Sequence, residues 1–89
     1  MLLLGSMSAE QRLAAFLLSL SRRYQRLGFS ANCFVLRMTR EEIGSYLGVT
    51  LETVSRLMSR FHRAGLIAVQ QRDIELNDAD GLMELVGHW

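Results

Sequence analysis

Glu52, Ser55 and Arg56 fall within five consecutive residues, with the carboxylate and the guanidinium four positions apart. On a helix, residues at that spacing share a face. One surface would then offer an acceptor, a small hydroxyl and a forked donor. That set matches the edge of a base pair. Arg56 can donate two hydrogen bonds to guanine O6 and N7, Glu52 can accept from cytosine N4, and Ser55 can serve several bases or admit a thymine methyl. Taken alone, Glu52 and Arg56 would be an ordinary exposed pair worth a few tenths of a kcal/mol. Ser59, Arg60 and Arg63 continue the same face, which favours base reading with phosphate contacts behind it. Thr39, Arg40, Thr50 and Thr53 stand at expected helix starts, where hydroxyls and unpaired backbone N–H groups suit phosphate oxygens. Thr39 and Thr50 would also serve as caps.

The stretch Thr39 to Ala64 must position these groups. Thr39 followed by Glu42 is a capping-box signal for a first short helix, with Ile43, Tyr46 and Leu47 on its apolar side. Gly44 inside that helix costs about 1 kcal/mol against alanine, so a close approach by a second helix is expected there. Gly48 ends the helix, where a left-handed residue is needed. Val49 packs in the turn, and Thr50 caps a second helix. Leu51, Val54, Leu57, Met58, Phe61 and Ala64 form its apolar face, and Gly65 ends it. The pattern Gly44, Gly48, Val49, Val54, Leu57 is a helix-turn-helix signature.

The rest of the chain reads as support. Ser8 with Gln11 opens a helix by a second capping box. Leu13, Phe16, Leu17, Leu20, Tyr24 and Leu27 recur along it at helical spacing, opposite Arg12, Ser19, Arg22, Arg23 and Arg26. Arg22, Arg23 and Arg26 are read as complementing the helix dipole rather than touching DNA, and Gly28 ends the helix. Cys33 to Met38 favours a short strand, with Cys33 a small core or strand residue. Leu66 to Val69 and Asp73 to Leu76 form a hairpin around Gln70-Gln71-Arg72, without the usual Asn-Gly turn. Asn77 or Asp78 caps a last helix with Leu82, Leu85 and Val86 inward. The predicted fold is mainly α with a small β-hairpin wing, a winged helix-turn-helix over residues 8–89. Its helix-turn-helix spans about 39–64 and its wing about 66–76.

With 89 residues the chain suits one small domain. All ten basic residues are arginine, yet the net charge is only +1. Any DNA affinity must therefore come from where the arginines sit rather than from bulk charge. A single cysteine excludes an internal disulfide and a multi-cysteine zinc or iron–sulfur site, so no cofactor is expected in this chain. A cytoplasmic setting fits. The opening MLLLGSM is too short for a signal peptide or a spanning helix, so no membrane role is expected. No nucleophile is paired with a base, which argues against an enzyme. His62 is read as a helix-flank residue without a role.

The segments MTREEIGSYLGVTLETVSRL and AEQRLAAFLLSLSRRYQRLGFS, with the short MLLL before them, resemble the C-terminal DNA-binding domain of the Crp/Fnr family of bacterial transcription regulators, most closely its FNR-like branch. The likeness covers nearly the whole chain. Through the ETVSR segment it implies that Glu52 and Arg56 share the G·C pair of a TTGAT-type half-site while Ser55 helps choose a neighbouring thymine. The cyclic-AMP-responsive branch has Arg where Leu51 stands and Gly where Ser55 stands. The resemblance also implies double-stranded DNA as partner, a homodimer in a full-length parent, and contact with RNA polymerase, for which the loop Leu27 to Asn32 is a candidate. Residues 1–7 would be the remnant of a dimerisation helix, with the family's sensor domain outside this chain. Alone, the chain is expected to be monomeric or weakly associating and to lack the roughly 10²–10⁴ avidity gain of a dimer. The rival expectation is a winged helix that docks a protein and reads no bases.

Overall fold

Three helix starts carry the caps that their sequences predict. In the computed structural model, which describes residues 7–87, helix α1 (Ala9–Arg26) opens on a reciprocal Ser8–Gln11 capping box and α2 (Arg40–Leu47) on a Thr39–Glu42 one. The Thr50 hydroxyl accepts from the Thr53 N–H to start α3 (Leu51–Arg63). Asp78, the second of the two candidates, caps α4 (Ala79–Val86). The dimerisation-helix remnant expected for residues 1–7 lies outside the described residues apart from Met7, which packs against the core.

Helix α1 is the spine, packed against α2, α3 and α4, with Leu13, Phe16 and Leu17 among its buried residues. Its apolar stripe fades toward the C-terminus. Leu20 and Tyr24 are half-buried, and Leu27, expected on that face, is exposed. Leu27 is the C-cap, where the backbone leaves the helix and no neighbour remains to cover the side chain. Gly28 follows at φ 89, and its N–H and that of Phe29 bond back to Gln25 and Tyr24, closing the helix end. Arg12, expected on the solvent side, is half-buried instead. Its Nη1 donates to the Leu47 carbonyl at 3.0 Å. Helix α2 has no basic residue in its own last turn, so Arg12 places a cation at that negative helix end.

The wing is larger than a hairpin. Strands β2 (Ile67–Gln70) and β3 (Asp73–Leu76) pair antiparallel as expected, and β1 (Cys33–Val35) joins on the other side of β3 to give the order β1-β3-β2. The register sets Phe34 opposite Ile74, and Ile74 opposite Val69. Strand β3 alternates exposed and buried residues, with Ile74 and Leu76 turned to the core. Cys33 lies on the exposed face and bonds Glu75 through its thiol at 3.6 Å. Strand β1 stops at Val35, short of the expected Met38. Tyr24 stacks on Phe34 with ring centroids 5.4 Å apart. The two-residue turn uses Gln71 at φ 58, a left-handed residue supplied without glycine.

Candidate nucleic-acid interface

Two contacts fix how α3 leaves α2. Gly48 adopts φ 78, which a residue with Cβ resists. At Gly44 a Cβ would lie 2.7 Å from the Val49 carbonyl oxygen. The close approach expected there is real, but the turn backbone makes it rather than the body of α3. The Val49 N–H returns to the Gly44 carbonyl at 2.8 Å, so turn and helix interlock.

Val54, Leu57, Met58 and Phe61 anchor α3 in the core. Leu51 and Ala64, expected on the same face, are exposed. At about 100° per residue both lie some 70° from the centre of the buried stripe, on opposite margins. Tyr46 of α2 is likewise outside the core, though its ring rests on Phe16 at 5.6 Å between centroids.

The same geometry sorts the candidate contact residues. Glu52, Arg56, Ser59 and Arg63 point away from the core within about 30° of one another's mean direction. All four are exposed. Ser55, also exposed, is turned toward the wing. Arg60 is turned the other way, and its Nη1 lies 3.7 Å from Glu10 Oε2 on α1. A surface pair of this kind contributes at most about 1 kcal/mol and leaves Arg60 able to swing out. Glu52 and Arg56 share this face but form no ion pair with each other. An exposed pair gains too little to hold two long side chains together, so both ends remain available.

Thr39, Thr50 and Thr53 lie at helix starts as expected, and their hydroxyl oxygens are engaged. Thr39 Oγ1 accepts from the Glu42 N–H at 3.0 Å. Thr50 Oγ1 accepts from the Thr53 N–H and lies 2.9 Å from Thr53 Oγ1. Accepting leaves the Thr39 hydroxyl proton, and one proton of the Thr50–Thr53 pair, to donate to a phosphate oxygen. Arg40 is the exception to the expected outward display. It is half-buried, and its Nη2 donates to the Gln71 carbonyl at the wing turn, 2.9 Å away. Burial lowers its pKa from the usual guanidinium value. Arg40, Ser55, Ser59, Arg63, His62 and Val69 line a groove of about 470 Å³ between α3 and the wing.

Sequence reasoning passed over two residues here. Arg72 stands exposed at the tip of the wing, beside its left-handed turn residue. His62 is not idle: its Nδ1 accepts the Val69 N–H of β2 at 3.1 Å. Nothing in the helical pattern marks His62, because its partner comes from a strand whose placement depends on the whole fold.

An apolar-backed second helix, a glycine-set turn and a flanking β-hairpin define a winged helix-turn-helix domain. The chain belongs to the Crp/Fnr family of transcription regulators: residues 11–85 match the Crp-like helix-turn-helix domain. It is similar to the transcriptional regulatory protein btr of Bordetella pertussis, with 65% identity over 83 residues that cover 93% of this chain and 34% of that protein. It is similar to the fumarate and nitrate reduction regulatory protein of Escherichia coli, with 51% identity over 87 residues covering 98% of this chain and 35% of that protein. Among solved structures, FixK2 from Bradyrhizobium japonicum superposes with a TM-score of 0.86 at 40% identity, covering 98% of this chain and 42% of that one. These relatives place it with the FNR-like branch. The chain spans about a third of the length of the curated relatives it matches.

Proposed function

We propose that this domain binds double-stranded DNA sequence-specifically, with α3 in the major groove of a TTGAT-like half-site. Arg56 reads the guanine and Glu52 the paired cytosine of its G·C pair, while Ser55 meets a neighbouring thymine. Thr39, Arg40, Thr50, Thr53, Ser59, Arg60 and Arg63 supply the phosphate contacts that fix register. The carrying observation is the two-sided character of α3. Val54, Leu57, Met58 and Phe61 hold its back in the core, while Glu52, Arg56, Ser59 and Arg63 stand exposed on its front.

The same reading makes the domain the output half of a cytoplasmic regulator that holds no cofactor of its own and acts as a homodimer in a full-length parent. No helix among the described residues is long and apolar enough to cross a membrane. The Leu27 to Asn32 loop is the candidate contact for RNA polymerase, and the exposure of Leu27 and Phe29 supports that role.

The test is a titration of the domain against a duplex bearing one TTGAT half-site and against a duplex with its G·C pair reversed, at several salt concentrations. The cognate duplex should win by about 1–3 kcal/mol, and Arg56→Ala should abolish the difference. Equal binding of the two duplexes would sink base reading and leave the protein-docking alternative.

A further inference from the structure

His62 meets an amide that the sheet leaves unpaired. Strand β2 is at the end of the order β1-β3-β2, so amides on its far side have no strand neighbour. The Val69 N–H points away from β3 and donates to His62 Nδ1 at 3.1 Å. A few residues on, Arg40 Nη2 holds the Gln71 carbonyl at the turn. The wing is thus tied once to α3 and once to the start of α2. These two ties bracket the groove lined by Ser55, Ser59 and Arg63.

We propose that His62 is a positioning residue that fixes the wing beside the recognition helix, so that both meet the DNA as one rigid surface. The inference rests on the DNA-binding reading above. The imidazole acts through its Nδ1 lone pair, which leaves the ring proton on Nε2. An asparagine carries its amide oxygen at nearly the same reach as Nδ1, so it can accept the same N–H. Alanine cannot. On that reading Arg72, exposed at the wing tip, is placed to meet phosphate rather than a base edge. Loosening the wing therefore weakens binding to all sequences alike and spares the choice between them.

The experiment compares the native chain with His62→Ala and His62→Asn. Amide hydrogen exchange at Val69 is measured without DNA, and each protein is titrated with the two duplexes described above over a range of salt. His62→Ala should raise Val69 exchange by about tenfold or more. It should weaken binding to both duplexes severalfold, with the slope of log K against log salt smaller by about one and the cognate preference intact. His62→Asn should restore exchange, affinity and slope. Unchanged Val69 exchange in His62→Ala would overturn the proposal, as would faster exchange with unaltered affinity and slope. A native chain with no preference between the duplexes would overturn the base-reading function instead, and Val69 exchange would still decide whether the tie exists.

Discussion

Replacing Gly44 with alanine asks how closely the turn sets α3. On an unconstrained helix the exchange would stabilise by about 1 kcal/mol. Here the new Cβ would sit 2.7 Å from the Val49 carbonyl oxygen and 3.3 Å from the Thr50 carbonyl carbon. Comfortable contact begins near 3.5 Å, so the turn would have to retreat by about 0.8 Å. A flexible side chain could swing aside, but these atoms are backbone. The Val49 N–H also bonds the Gly44 carbonyl at 2.8 Å. Retreat stretches that bond, worth about 1 kcal/mol, and adds the strain of about 1–3 kcal/mol typical of overpacking. Set against the helix-propensity gain, the net loss is about 1–3 kcal/mol. For a domain of this size, that lowers the melting temperature by about 4–8 °C per kcal/mol. Thermal unfolding followed by circular dichroism measures it, with Ser45→Ala on the exposed side of α2 as the control that brings part of the propensity gain without the clash. A shift beyond about 0.5 Å also misplaces Glu52 and Arg56, so half-site affinity should fall about tenfold or more. Gly44→Ala with the stability of Ser45→Ala and native affinity would refute the account of the turn.

Two further outcomes follow from surface groups. Arg72→Ala should lower the salt dependence of binding by about one phosphate contact while preserving the preference for the cognate duplex. A loss of that preference would mean that the wing tip reads bases. The Cys33 thiol has its pKa raised, first by desolvation and then by its hydrogen bond to Glu75 and the charge of that carboxylate. A raised pKa means less thiolate near neutral pH, so alkylation at pH 7–8 should be slower than for a free thiol. Glu75→Gln removes the charge and should speed alkylation; an unchanged rate would exclude the carboxylate as a cause.

What could be read from the residues was what they settle locally. Ser8–Gln11 and Thr39–Glu42 carry their helix starts within four residues, and both caps form as the spacing predicts. The buried stripe of α3 was legible at its centre and overextended at its margins, because a helical repeat shows where side chains point but not how far the neighbouring core reaches. Leu51 and Ala64 mark that limit, as Leu27 does on α1. The pairing of β1 with β3 was not legible, since it joins Phe34 to Ile74 across a long stretch of chain through a register with no local signal. The partners of Arg12, Arg40, Arg60 and His62 were hidden for the same reason. Each reaches a different element, and three of the four meet a backbone group that composition cannot mark. Glu52, Ser55 and Arg56 are all exposed on α3, as their spacing predicts, with Ser55 turned more to the wing than the other two.

The tie between His62 and Val69 bears on self-association as well as on the wing's placement. A strand with free outward amides is a template for another chain, and small sheets invite aggregation by adding a foreign strand. On one side of this sheet the Val69 N–H is already occupied by an imidazole. On the other side β1 is only three residues long, and the Tyr24 hydroxyl lies over the Val35 carbonyl at 3.3 Å. Each border thus has an outward backbone group already met by a helix side chain, which reduces what the sheet presents to a foreign strand.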